Sequence, residues 1–367
     1  MNDQLLYLIA LTAIPNIGDR TAKKLVAYCG SSEQVFKERA RALEKIPGVG
    51  AVSAHHILQF KQEALFVAET EATFIEKHEV SVWPYWDEAY PKRLSYCDDA
   101  PVVIYSKGHV DFNCRKVISV VGTRRATQAG KSFCQKLMEE LKPHQPLIIS
   151  GLAFGIDATA HREALSNGLP TVGVLAHGLD RIYPQQHRNL AKEMLGSGGL
   201  LTEFKSNSNP DRENFPKRNR IIAGLSDLTV VIESNQKGGS IITAELANSY
   251  NRDVFAVPGR TTDPQSEGCN WLIKTNKAAL IQSAKDIEYI MGWEQPQKKE
   301  GKQSKLFVQL SDDQKKVAAL LKEKHQVEVD EIALQCQMPI SKTAGILLEM
   351  EFQGVIRALP GKRYTLL

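Results

Sequence analysis

Between residues 100 and 290 the chain repeats one pattern: a short β-branched or aliphatic run, then an amphipathic stretch of helical period. The runs are Val117–Val121 (VISVV), Leu147–Ser150 (LIIS), Thr171–Leu175 (TVGVL), Gly199–Thr202 (GLLT), Thr229–Glu233 (TVVIE) and Val254–Val257 (VFAV). Helix candidates lie near 126–141, 157–167, 185–195, 218–225 and 241–250. Strands that are apolar along their whole length are buried on both faces, as in a parallel sheet covered by helices. The expected fold class is α/β: a doubly wound, mostly parallel Rossmann-like sheet. Numbering the six runs in chain order, the expected strand order is 3-2-1-4-5-6.

The flanking regions have other characters. Residues 1–85 read as a helical module punctuated by glycine turns, 86–295 as the Rossmann-like core, 296–310 as a linker and 311–367 as a further small domain. The linker assignment rests on PQKKEGKQSK (296–305), which has no aromatic or aliphatic residue. The N-terminal module holds a degenerate repeat, Ile14-Pro-Asn-Ile-Gly18 and Ile46-Pro-Gly-Val-Gly50, each followed by a helix opening. This is similar to a helix-hairpin-helix motif, whose backbone N–H cluster suits a phosphate. The same turns also serve simply to join packed helices. The second copy offers His55 and His56 but no Lys or Arg.

Composition narrows the function. The 367 residues are 43% hydrophobic and 24% charged, which excludes a wholly disordered or fibrous chain. No run approaches the ~18 apolar residues of a membrane span. The N-terminal stretch lacks a basic segment and reads as folded structure rather than a signal peptide. Six scattered cysteines without a C-x-x-C pair argue against a disulfide framework or zinc site and for a reducing compartment, so the cytoplasm is the expected location. The nine histidines show no ligand spacing, and neither a metal nor a cofactor is expected. Net charge is only +4, so any nucleic-acid site must concentrate charge locally.

Ligands of such sheets bind beyond the carboxyl ends of the strands. There the sequence places Gly122-Thr123-Arg124-Arg125, then Ser150-Gly151, then a loop ending Phe215-Pro-Lys217-Arg218-Asn219-Arg220, then Lys237-Gly238-Gly239-Ser240. Glycines let backbone N–H groups approach a phosphate, and helix starts add partial positive charge. Arg124, Lys217, Arg218 and Arg220 add full charge, and Phe215 is a candidate to stack on a base. The dinucleotide fingerprint G-x-G-x-x-G fails after the first strand, and the Walker spacing fails at Gly130-Lys131-Ser132. A nicotinamide enzyme and an ATPase are therefore not indicated. Arg124 is the most telling residue, because a charge directly after a buried strand implies a partner. Structural roles stay open for the others: ion pairs for Arg218 and Arg220, core packing for Phe215, an inward hydrogen bond for Asn219, and an i,i+4 pair for Asp157 and His161.

Together GTRRATQAG, IISGLAFGIDATAH, FPKRNRIIAGLSD, KGGSIITAELA and FAVPG resemble the DNA-processing protein A family, also called DprA or Smf. The likeness is dense over 115–260. It implies a non-enzymatic protein that binds single-stranded DNA, protects incoming DNA in natural transformation (competence) and loads the RecA recombinase for recombination. It also implies a homodimer formed through the core. Carried over by position, the family's phosphate elements fall on Gly122, Thr123 and Arg124, on Ser150 and Gly151, and on Arg218, Asn219 and Arg220. Thr123 stands where the family often has serine. The core also resembles the lysine-decarboxylase-like phosphoribohydrolases, with Gly238, Gly239 and Glu245 matching P-G-G-x-G-T-x-x-E. That resemblance keeps a nucleotide-cleaving enzyme as an alternative.

Residues 311–367 give three helices and a hairpin, a winged-helix pattern. The candidate recognition helix carries Lys342 and Thr343 but also Glu349 and Glu351, which is thin for major-groove binding.

Overall fold

The computed structural model describes residues 1–293 and 310–367. The expected linker, 296–310, lies outside the described residues except for Leu310. The chain forms two compact units, 1–280 and 281–367.

The first unit opens with six helices: α1 (Asp3–Ala13), α2 (Asp19–Cys29), α3 (Ser32–Val35), α4 (Ala40–Leu43), α5 (Ala51–Gln59) and α6 (Lys61–His78). The two glycine turns of the repeat end at the N-caps of α2 (Gly18) and α5 (Gly50). The helices share a core of Leu8, Leu11, Leu25, Val35, Leu43 and Ile57 that runs on into Val102, Val103 and Tyr105. Polar ties reinforce this joint. The buried Glu71 carboxylate accepts the Ser206 backbone N–H and hydroxyl, and Asp19 accepts the Val102 N–H at 2.9 Å. The helical module is thus packed on the sheet.

The sheet elements follow: β1 (Ser81–Pro84), α7 (Lys92–Ser95), β2 (Val103–Gly108), β3 (Val117–Val121), α8 (Gln128–Leu141), β4 (Leu147–Ser150), α9 (Ile156–Ser166), β5 (Thr171–Val174), α10 (Arg188–Met194), β6 (Gly198–Thr202), α11 (Asn214–Leu225), β7 (Leu228–Val231), α12 (Gly239–Ser249), β8 (Asp253–Ala256), α13 (Glu267–Lys274) and β9 (Ala279–Leu280). The order in this nine-stranded sheet is β1-β2-β6-β5-β4-β3-β7-β8-β9. From β6 to β9 every pairing is parallel, while β1 and β2 form an antiparallel edge. The mostly parallel sheet expected from the apolar runs is present. Strand content begins at Ser81, within the residues read as helical module.

The expected 3-2-1-4-5-6 order is not what forms. In the same numbering the six runs lie 4-3-2-1-5-6, so the fourth run (β6) pairs with the third (β5) and the order reverses between β3 and β7. The glycines of β6 permit this pairing. A Cβ at Gly198 would overlap the backbone of Thr171, so this approach of β6 to β5 admits only glycine. After β6 the chain returns across the sheet as α11, which packs on β3, β4 and β5.

The second unit contains α14 (Ala284–Met291), α15 (Asp312–Lys324), β10 (Val327–Glu328), α16 (Val329–Gln335), α17 (Ile340–Phe352), β11 (Ile356–Leu359) and β12 (Arg363–Leu366). Ser311 and Gln314 form a capping box at the start of α15. The last three helices and the β10-β12-β11 sheet enclose Val317, Leu321, Ile332, Leu347, Met350 and Ile356 in the expected winged-helix arrangement. On α17 the two groove candidates are already engaged. Lys342 pairs with Asp313 at 2.7 Å, and the buried Thr343 hydroxyl donates to the Pro339 carbonyl. Among the described residues no helix is long and apolar enough to cross a membrane.

Candidate nucleic-acid interface

At the carboxyl ends of β3 and β7, where the strand order reverses, the surface opens into a crevice of about 380 Å³. Its walls come from the turn after β3, the first turns of α9 and α11, and the turn that opens α12.

The turn after β3 is fixed at both ends. The Thr123 N–H donates to the Glu233 carbonyl at 2.6 Å. Four residues on, the Thr127 N–H donates to the buried Glu233 carboxylate at 2.9 Å, as does the Thr127 hydroxyl. The same hydroxyl oxygen caps α8 by accepting the Gly130 N–H. A Cβ at Gly130 would overlap the Glu233 carboxylate, so this packing requires glycine there. With Glu233 occupied by Thr127, Arg124 projects from the turn, exposed and without a carboxylate partner among the described residues. Its guanidinium carbon lies 5.3 Å from the centre of the Phe215 ring, a cation–π contact. Glu233 and Gly130 support the site without lining it; the signal for Glu233 in the sequence is a carboxylate closing an otherwise apolar strand. We expect Gly130→Ala to dislodge Glu233 at a cost of about 2 kcal/mol, seen as a fall of several degrees in Tm by calorimetry.

The segment Phe215–Arg220 is helical, not a loop, because α11 begins at Asn214 rather than 218. At 100° per residue this divides the six residues between two faces. Phe215, Arg218 and Asn219 face the crevice; Lys217 and Arg220 face a different hollow, shared with α2. Lys217 and Arg220 are therefore corrected out of the site. Arg220 is neutralised where it lies, donating to the Asp19 carboxylate at 3.1 Å, to the Glu203 carboxylate and to the Asp99 carbonyl. Burial raises the Glu203 carboxyl to about 7 against the opposing pull of Arg220.

Arg218 reaches the crevice but is only 4% exposed. Its Nη1 donates to the carbonyls of Gly151 and Val174, each at 2.5 Å, and its Nε donates to the Asn219 side chain. Burial lowers its pKa to about 10, and the charge of Asp157 opposes that shift. Asp157 is raised by its own burial, with Arg218 pulling the other way. Arg218 thus forms the floor of the crevice, tied to the ends of β4 and β5. Asp157 and His161 do not pair: His161 bonds the Thr171 hydroxyl at 2.7 Å and burial lowers it to about 3.

Ser150 and Gly151 lie beneath this floor and are also corrected out of the open surface. The Ser150 hydroxyl donates to the Val120 carbonyl, and Gly151 is buried against the Arg218 guanidinium. Gly122 and Thr123 line the crevice, as do Lys237, Gly238, Gly239 and Ser240 on the far wall. Lys237 is exposed and, among the described residues, has no carboxylate partner. Gly239 begins α12, so the first N–H groups of that helix lack intrahelical acceptors and face the crevice wall. The Ser240 hydroxyl is engaged with Ser234 at 2.7 Å, leaving its backbone for a ligand. Asn219 spans the gap, donating weakly to the Gly239 carbonyl at 3.4 Å. Phe215 forms a wall rather than core, with Arg124 and Arg218 on its ring and Tyr183 6.1 Å away. The result is two free cations, a helix start and a half-buried aromatic ring around one hollow, which suits a phosphate with an attached base. Glu245 lies elsewhere, on the exposed side of α12, paired with Lys277 at 2.8 Å.

Known proteins are similar to this chain over most of its length. Residues 81–291 match the family model described as DNA recombination-mediator protein A, and 306–362 match that of the DprA winged helix domain. Protein Smf of Synechocystis is 30% identical over 99% of each chain. The DNA processing protein DprA of Streptococcus pneumoniae is 40% identical over 55% of this chain and 71% of its own. The crystal structure of the pneumococcal DprA superposes with a TM-score of 0.65 at 30% identity, covering 79% of this chain and 98% of that one. The DprA of Helicobacter pylori, solved for its single-stranded DNA binding mode, matches at TM-score 0.52 and 28% identity over 57% of this chain and 94% of its own.

Proposed function

The chain belongs to the DNA recombination-mediator protein A family, and from that premise we propose that it binds single-stranded DNA in the crevice between β3 and β7. In this reading it shields incoming DNA during natural transformation and delivers it to the RecA recombinase in the cytoplasm. It acts as a homodimer joined through the Rossmann-like core and catalyses no reaction. The observation that carries the reading is Arg124: an exposed guanidinium that among the described residues has no carboxylate partner, held over an aromatic wall and opposite Lys237 and the start of α12. Backbone phosphates would lie against Arg124, Lys237 and the first N–H groups of α12, with Gly122, Thr123 and Asn219 lining the path. A base would stack on Phe215. The Helicobacter pylori relative, solved for its single-stranded DNA binding mode, supports the choice of polymer. RecA loading and dimer formation rest on the family resemblance.

A titration of single- against double-stranded oligonucleotides at two ionic strengths tests the reading. Tighter single-strand binding is expected, with log affinity falling against log salt by about 0.7 for each phosphate neutralised. A preference for duplex, or an affinity indifferent to salt, would overturn it.

A further inference from the structure

Beside the crevice lies a second hollow of about 410 Å³, and Arg124 lines both. Its rim carries Arg125, Lys131 and Arg162, all exposed and, among the described residues, without a carboxylate partner. Cations gathered on one rim repel one another, so the arrangement gains only when an anion arrives. Its wall holds Phe154, a large apolar ring left 45% exposed. The ring is held from within by the buried His187, edge-on at 4.9 Å, whose Nδ1 bonds the Leu152 carbonyl at 2.8 Å.

The turn that presents Phe154 is backed directly onto Arg124. Leu152 adopts φ +57°, a left-handed conformation that a leucine rarely takes, and Gly155 adopts φ +79°. A Cβ at Gly155 would come within 2.7–2.8 Å of the Arg124 backbone, so the two turns touch where only glycine fits. Strain at Leu152 and contact at Gly155 therefore hold Phe154 and Arg124 in a fixed relation.

Resting on the single-strand reading above, we propose that Phe154 and its cationic rim form a second nucleotide subsite. The base next to the one held in the crevice stacks on Phe154; the phosphate between them lies at Arg124, and the phosphates that follow run along Arg125, Lys131 and Arg162. The strand thus runs over the turn after β3, with an aromatic platform on each side of Arg124.

Fluorescence anisotropy of a labelled thymidylate dodecanucleotide, with thymidine 3′,5′-bisphosphate as a one-nucleotide competitor, tests this. Phe154→Ala is expected to weaken dodecanucleotide binding by ~10-fold while leaving the bisphosphate, a single nucleotide that reaches only the first crevice, unchanged. Phe154→Trp should keep the full affinity and Phe154→Leu should not, which separates stacking from apolar bulk. Arg162→Ala should lower the salt slope by about 0.7, whereas Phe154→Ala should leave it alone. Because Phe154 is exposed, unchanged Tm values will show that the variants are folded. Wild-type binding of the dodecanucleotide by Phe154→Ala would overturn the subsite while leaving the crevice in place. Full bisphosphate affinity in Arg124→Ala would remove both.

Discussion

Replacing Arg124 with alanine is expected to weaken single-stranded DNA binding by roughly 10- to 150-fold while Tm stays at the wild-type value. The size follows from what the side chain supplies: a charge-assisted hydrogen bond to phosphate contributes about 1.5–3 kcal/mol, and each 1.4 kcal/mol is tenfold. The stability forecast follows from exposure, since among the described residues the Arg124 side chain makes no contact but that with the Phe215 ring. Arg124→Lys should fall between the two, keeping the charge but losing the planar, two-pronged donor. Lys217→Ala is the matching control. It removes an equal charge from the opposite face of α11 and should change affinity far less. Anisotropy at two salt concentrations measures all three. An unchanged affinity in Arg124→Ala would take the DNA out of this crevice.

The difference between Arg124 and Arg220 shows how far the sequence could be read. Each strand–helix unit declared itself through its own composition, so the α/β class and the crevice turns at Gly122–Arg124 and Lys237–Ser240 were legible one segment at a time. The strand order was not, because it depends on which strands meet, and the only written trace was Gly198, which looks like any glycine until Thr171 is beside it. α11 starts one helical turn earlier than its sequence pattern predicts. That offset is small in sequence but decides which of the six residues from Phe215 to Arg220 share a face. The carboxylates around Arg220 come from positions 19 and 203, too far along the chain for any local pattern to reveal. The antiparallel edge was hidden for a similar reason. β1 begins within the helical module's stretch, and β2 owes its burial partly to helices from that module. Glu233 was visible as the last residue of an apolar run, yet its role appears only when Thr127 is seen to occupy it.

Arg218 separates support from ligand contact, and its replacement should produce the largest loss of stability. Arg218→Met keeps much of the side chain's length but leaves Asp157 buried without its counter-charge and removes the donor to the Gly151 and Val174 carbonyls. Stranding two buried carbonyls and a buried carboxylate in this way costs about 3 kcal/mol, which for a protein of this size corresponds to a Tm several degrees lower. The double change Arg218→Met with Asp157→Asn should recover part of that loss, because the abandoned charge is then gone as well. Thermal and urea unfolding of the two variants give the comparison. DNA affinity should then follow the folded fraction, the reverse of Arg124→Ala, where affinity falls and the fold is untouched. Should Arg218→Met unfold at the wild-type temperature yet bind DNA poorly, its guanidinium would belong to the ligand rather than to the floor beneath it. The two arginines, one exposed and uncompensated and the other buried and matched, would then have to be assigned the same task.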